Sequence, residues 1–87
     1  MKVKIMGIKS VTKKDGTPSK FVFFCREPLA REKANTVGLV TDSFYLNTAD
    51  LDMMPAECVP GVEVELYYEY DGFRSILSKI VVLAKSN

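Results

Sequence analysis

Between Ile8 and Arg26 the chain places Lys9, Lys13, Lys14 and Lys20 around an Asp15-Gly16 turn and follows them with Phe21, Phe23 and Phe24. Ammonium groups pair with phosphates and flat rings stack on unpaired bases, so this mixture carries the chemistry of a single-stranded nucleic-acid surface. A second ring and cation, Phe73 and Arg74, follow the turn at Asp71-Gly72. A guanidinium there contacts a phosphate or stacks on a base. Lys9, Lys13, Lys14, Lys20, Phe21, Phe73 and Arg74 together form the candidate binding set.

Catalytic chemistry is much harder to assemble. The chain has no histidine, which removes the usual general base and any Ser-His-Asp or Cys-His arrangement. No glycine loop of the phosphate-cradling type is present. Asp50 and Asp52 are one close carboxylate pair, and they read as acids at a helix start, where the dipole favours them. Cys25 and Cys58 are the only cysteines, too few for a four-ligand zinc site within one chain. The expectation is a binding protein without metal or cofactor, not an enzyme.

Composition bounds the rest. With 87 residues, 47% hydrophobic and 26% charged, the chain is one globular domain over 1–87, close to the smallest size that folds without cross-links. Oligomerisation eases that limit. No apolar run approaches the ~20 residues of a membrane span. Met1 to Ile5 alternates charged and apolar residues where a secretory signal needs a continuous apolar core. A cytoplasmic protein with no membrane partner is expected, and in that reducing setting Cys25 acts as a small hydrophobe rather than a disulfide half.

The net charge of +1 hides a segregated distribution. The first twenty residues hold six lysines and one aspartate, Asp42 to Asp71 holds eight acids and no lysine or arginine, and cations return from Arg74 onward. Such a chain builds either one basic and one acidic side or ordinary solvated strand faces.

The elements that must position these residues are mostly strands. Strand one covers Lys2 to Val11, with a break in alternation at Met6-Gly7-Ile8 that predicts a bulge. Strand two covers Ser19 to Arg26, with Phe21, Phe23 and Cys25 on one face and Lys20, Val22, Phe24 and Arg26 on the other. Both faces are partly apolar, so alternation leaves the core face open. A domain this small needs aromatics inside, and most of the three phenylalanines are expected to pack there. Asp-Gly between the two strands predicts a type I′ turn with positive φ at both central residues.

Leu29 to Thr36 reads as a loop or a short helical turn after Pro28. A third strand is expected over Val37 to Leu46, then one helical turn capped by Asn47 or Thr48 and closed at Pro55. After the Pro60-Gly61 turn, Val62, Val64, Leu66 and Tyr68 alternate with Glu63, Glu65, Tyr67 and Glu69, the clearest half-buried strand in the chain. The second Asp-Gly turn leads into Phe73 to Leu83, whose Ile80-Val81-Val82-Leu83 run predicts burial on both faces or a subunit contact. The fold class is all-β: a small five-stranded OB-like Greek-key barrel with projecting hairpins and one short helical turn.

The layout resembles the small single-stranded-DNA-binding proteins of filamentous bacteriophages. Gly16-Thr17-Pro18 after the basic wing is similar to that family's Gly-x-Pro before its DNA-contacting strand, with Phe21 near an apolar contact position. Pro60-Gly61, the alternating strand, the tight turn, Phe73 and Ser75 resemble its second hairpin. Ser19 stands where the family has a tyrosine, and Glu27 to Thr36 matches no part of its pattern. The resemblance implies a homodimer that coats single-stranded DNA with little sequence preference, Phe73 of one protomer serving the wing of the other; the residues themselves do not distinguish DNA from RNA. A competing reading makes the acidic strand 62–70 a docking surface for a basic protein, with the lysines only solubilising the wing.

Overall fold

The computed structural model describes residues 1–85. Five strands, β1 (Lys2–Thr12), β2 (Pro18–Arg26), β3 (Val40–Leu46), β4 (Val62–Tyr70) and β5 (Ser75–Lys85), make one antiparallel sheet in the order β3-β2-β1-β4-β5. A single 3-10 helix, Thr48–Met53, interrupts the strands. Asn47 caps it by accepting the Asp50 amide at 3.1 Å, and the Thr48 hydroxyl donates to the Pro18 carbonyl at 2.6 Å, tying the helix to the start of β2.

Over the regular stretches of the strands, alternate residues point inward. Val3 and Ile5 from β1, Val22 and Phe24 from β2, Leu46 from β3, Val62, Val64 and Leu66 from β4 and Ile80 from β5 close into one core with Cys58. Leu51, Met53 and Met54 pack on it from the helical turn and the residue after it. Each fully buried aliphatic side chain contributes about 1.5–3 kcal/mol.

The expected break in β1 is a bulge. Ile5 pairs with Phe24, the register slips, and Gly7 pairs with Phe23, leaving Met6 without a partner. Before the bulge the odd residues Val3 and Ile5 face the core; after it Ile8 packs against the core and Lys9 faces out. One extra residue therefore puts Lys9 on the same outer face as Lys2 and Lys4.

Several expectations change. The sheet curls, and Asp42 on β3 lies near enough to Tyr68 on β4 to add to the burial that raises its phenol pKa. Among the described residues no ladder joins β3 to β5, so the sheet stays open rather than closing into a barrel; the 3-10 helix contacts both strands instead. Asp15 does not take positive φ, so the first hairpin is not a type I′ turn: only Gly16 does (φ 86°), after a Gly16 N–H to Lys13 carbonyl bond of 2.9 Å. That is a turn followed by one left-handed glycine. The third strand starts at Val40 because Gly38 turns with φ 87° and Val37 is fully exposed. Of Ile80 to Leu83 only Ile80 is buried, and Leu83 is exposed, because β5 is an edge strand.

The segment after β2 folds as hydrogen-bonded turns around one carboxylate. Glu32 accepts from the Arg26 guanidinium at 2.9 and 3.2 Å and from the Leu29 amide at 2.8 Å. The Arg26 contact first, then the Leu29 amide, lowers the Glu32 pKa from 4.5 to about 2. A carboxylate depressed in the fold stabilises it above the unfolded pKa, and that contribution disappears as pH falls from 4.5 toward about 2. The Leu29 amide resonance is therefore expected to titrate with a midpoint well below 4.5. A midpoint at the ordinary carboxylate value contradicts the anchor.

Candidate nucleic-acid interface

Two rows of side chains cross the outer face of the sheet. Lys9 on β1 pairs with Phe21 on β2, which pairs with Tyr45 on β3. One step along, Gly7 pairs with Phe23, which pairs with Ser43. The Phe21 and Tyr45 rings are 4.9 Å apart and tilted by 51°, and Phe21 and Phe23 lie 6.4 Å apart with planes 24° from parallel. All three rings remain open to solvent, at 37% for Phe21, 41% for Phe23 and 45% for Tyr45. The three rings form one contiguous, solvent-facing aromatic patch.

This corrects the expected burial of the wing phenylalanines. Val22 and Phe24 take the inward positions opposite Ile8 and Ile5, so of the three only Phe24, at 3% exposure, is a core ring, tilted by 38° against Phe44. Phe21 is thus available for contact. A shallow recess of about 360 Å³ adjoins Phe23 and is lined also by Met6, Phe24, Thr41, Asp42 and Ser43.

The cations divide. Lys13 and Lys14 stand in the β1–β2 turn, whose shape is held by Asp15: its carboxylate accepts from the Thr17 hydroxyl at 2.6 Å and the Thr17 amide at 3.0 Å. Those bonds hold the Asp15 carboxyl below its ordinary range, the Lys13 charge adding to the effect. Lys20, by contrast, alternates onto the face of Val22, and its charge is felt by the buried Cys58 thiol. It does not join Lys9 and Phe21.

Phe73 and Arg74 are also apart from the wing. Gly72 takes φ 97° and Asp71 Oδ1 accepts the Phe73 and Arg74 amides, both at 2.9 Å, which leaves Phe73 at the hairpin tip, 94% exposed. These amides hold the Asp71 carboxyl low, and its other oxygen is 3.9 Å from Arg74 Nε. Because β4 runs antiparallel to β1, with Lys2 opposite Glu65 and Lys4 opposite Glu63, the 71–74 tip and the 13–16 turn project from opposite ends of the sheet. β1 alone covers on the order of 35 Å at its ordinary rise per residue.

The acidic strand completes the pattern. Glu63 and Glu65 alternate outward beside Lys4 and Lys2, and Lys2 Nζ is 3.4 Å from Glu63. The outer face thus carries an acidic lane on β4, a basic lane on β1 and an aromatic lane on β2 and β3. Phe23 is named from sequence among the wing phenylalanines but not placed in the binding set, although strand alternation links it to Phe21; Lys4 and Tyr45 were not singled out, and they join only through cross-strand register and the bulge.

Cys25 and Cys58 are buried free thiols, and burial pushes the Cys58 thiol up, away from reactivity. Among the described residues no group of three or more acidic, cysteine or histidine side chains is placed to hold a metal ion. Neither protein-family models, curated proteins nor solved structures give a match to this chain.

The division of the phenylalanines is directly measurable. Phe24→Ala is expected to cost about 3–5 kcal/mol in urea unfolding. Phe21→Ala and Phe23→Ala are expected to cost less than about 1.5 kcal/mol each, the scale of an aromatic surface pair. Equal losses for all three contradict the assignment of faces.

Proposed function

We propose that the protein binds single-stranded DNA with little sequence preference, in the replication or transfer of phage or mobile-element DNA in a bacterial cytoplasm. The observation that carries the reading is the cross-strand row Lys9, Phe21, Tyr45: a cation beside two open rings, with a third open ring, Phe23, one step along. A strand laid along β1 and β2 puts phosphates over Lys4, Lys9 and the wing lysines and bases over the rings. Glu63 and Glu65 repel phosphate from the far side of β1 and keep the backbone in its lane. Stacking uses the π-face that every base has, so it holds the strand without reading it. The mechanism is sequestration, with no bond made or broken.

The fold fits this reading as an OB-type Greek-key barrel left unclosed. The ladders β1–β2, β2–β3, β1–β4 and β4–β5 are those such a barrel uses, and among the described residues only β3–β5 is missing. Phe73 and Arg74 enter through a homodimer. They sit too far from the wing of their own protomer, whereas a twofold partner can bring its 71–74 tip beside it, and Tyr70 and Ile76 give that hairpin an exposed apolar surface to bury.

Fluorescence anisotropy with labelled oligo-dT and oligo-U tests the reading. Affinity is expected to fall steeply between about 50 and 200 mM salt, and Lys13→Glu with Lys14→Glu to weaken binding and flatten that slope. Phe21→Ala is expected to lose about 1–3 kcal/mol of affinity with the fold intact. Absence of binding to either oligonucleotide at low salt overturns the proposal, and a tighter complex with oligo-U moves it from DNA to RNA.

A further inference from the structure

Neither positive φ nor close packing requires glycine at position 7. Positive φ among the glycines is confined to Gly16, Gly38, Gly61 and Gly72, so any L-residue can adopt the Gly7 backbone. A Cβ built at Gly7 meets nothing within 4 Å, so no close packing excludes a side chain. The bulge beside it leaves Met6 unpaired and places no left-handed residue there. Glycine inside a strand weakens it through lost entropy and lost packing, and marks a bulge, a tight bend or a place where a ligand or another backbone comes close; with no left-handed residue at this bulge, the last of these is the one pursued.

The vacancy lies in the aromatic and basic surface. Gly7 is directly opposite Phe23, and side chains of directly paired residues share a face about 5 Å apart. Lys9 follows on the same outer face, and Lys4 precedes on it across the bulge, so the open space over Gly7 is bordered by one ring and flanked along the strand by two cations. A planar group lying on the β1 backbone there meets the Phe23 ring, and anionic groups on either side of it meet Lys4 and Lys9. A nucleotide within a single strand has that form: one flat base between two phosphates.

We propose that Gly7 is the floor of a slot that seats one base of a single-stranded nucleic acid against Phe23. The proposal rests on the single-stranded binding reading and adds to it a position where absence of a side chain is what binding requires. The slot is sequence-tolerant, because Gly7 contributes no donor or acceptor beyond its backbone and Phe23 offers only a face.

The test uses Gly7→Ala and Gly7→Val in the full chain, with oligo-dT anisotropy and thermal unfolding. Both variants are expected to unfold at or above the wild-type temperature. Gly7→Val is expected to lose about tenfold or more in affinity, and Gly7→Ala less. Combining Gly7→Val with Phe23→Ala is expected to lose no more than the weaker-binding single variant, since both act on one base. A fall in unfolding temperature in Gly7→Ala overturns the proposal by giving glycine a structural role. So does unchanged affinity in Gly7→Val while Phe21→Ala still weakens binding, a result that spares the broader reading. A change of oligomeric state without a change of affinity also overturns it, by making the slot a contact between copies. Wild-type protein that binds no oligonucleotide removes both.

Discussion

The unpaired residue at Met6 decides what the outer face of this protein is. A β-strand alternates with period two, and a slip of one residue turns every later side chain over. Without the bulge, Lys9 would share the inward face of Val3 and Ile5 and Ile8 would face out. With it, Ile8 joins the core while Lys9 comes out beside Phe21, on the face that Lys2 and Lys4 already occupy. The basic lane on β1 exists because of that slip, and so does its registry with the aromatic lane on β2.

Charge that is segregated along the chain becomes segregated across the sheet. β1 and β4 are neighbours, so the lysines of the first and the glutamates of the second face each other over one ladder. The exposed pair between Lys2 and Glu63 is worth little as stability. Its larger effect is on the shape of the field: the acidic lane gives the basic one an edge. A near-neutral net charge is compatible with a polyanion surface when the two signs are sorted in this way, since a partner responds to the local potential rather than to the total.

Much of this architecture is legible in the residues. Strict alternation in Val62 to Leu66, the irregular step at Met6-Gly7-Ile8 and the Asn47 cap each lead to the element found. The orientation of β2 is not legible, because Phe21 and Phe23 on one side and Val22 and Phe24 on the other are equally apolar. What decides it is Ile5 and Ile8 across the ladder, whose own facing depends on the bulge. The turn conformations escape for a related reason: Asp-Gly predicts two left-handed residues, yet Asp15 uses its carboxylate on Thr17 and leaves the left-handed conformation to Gly16 alone. Placement of Phe73 relative to the wing is set by the β1–β4 register, a pairing of residues some sixty positions apart that local pattern does not encode.

The central claim is that the outer face of β1, β2 and β3 receives a nucleic-acid strand. An amide-detected NMR titration of the protein with oligo-dT tests it most directly, because it maps contact residue by residue without mutation. The account predicts that Lys4, Gly7, Lys9, Phe21, Phe23 and Tyr45 shift together and saturate at one concentration, with Glu63 and Glu65 little affected. Shifts that cluster on Glu63 to Glu69, or that bypass the Lys9, Phe21, Tyr45 row, contradict it.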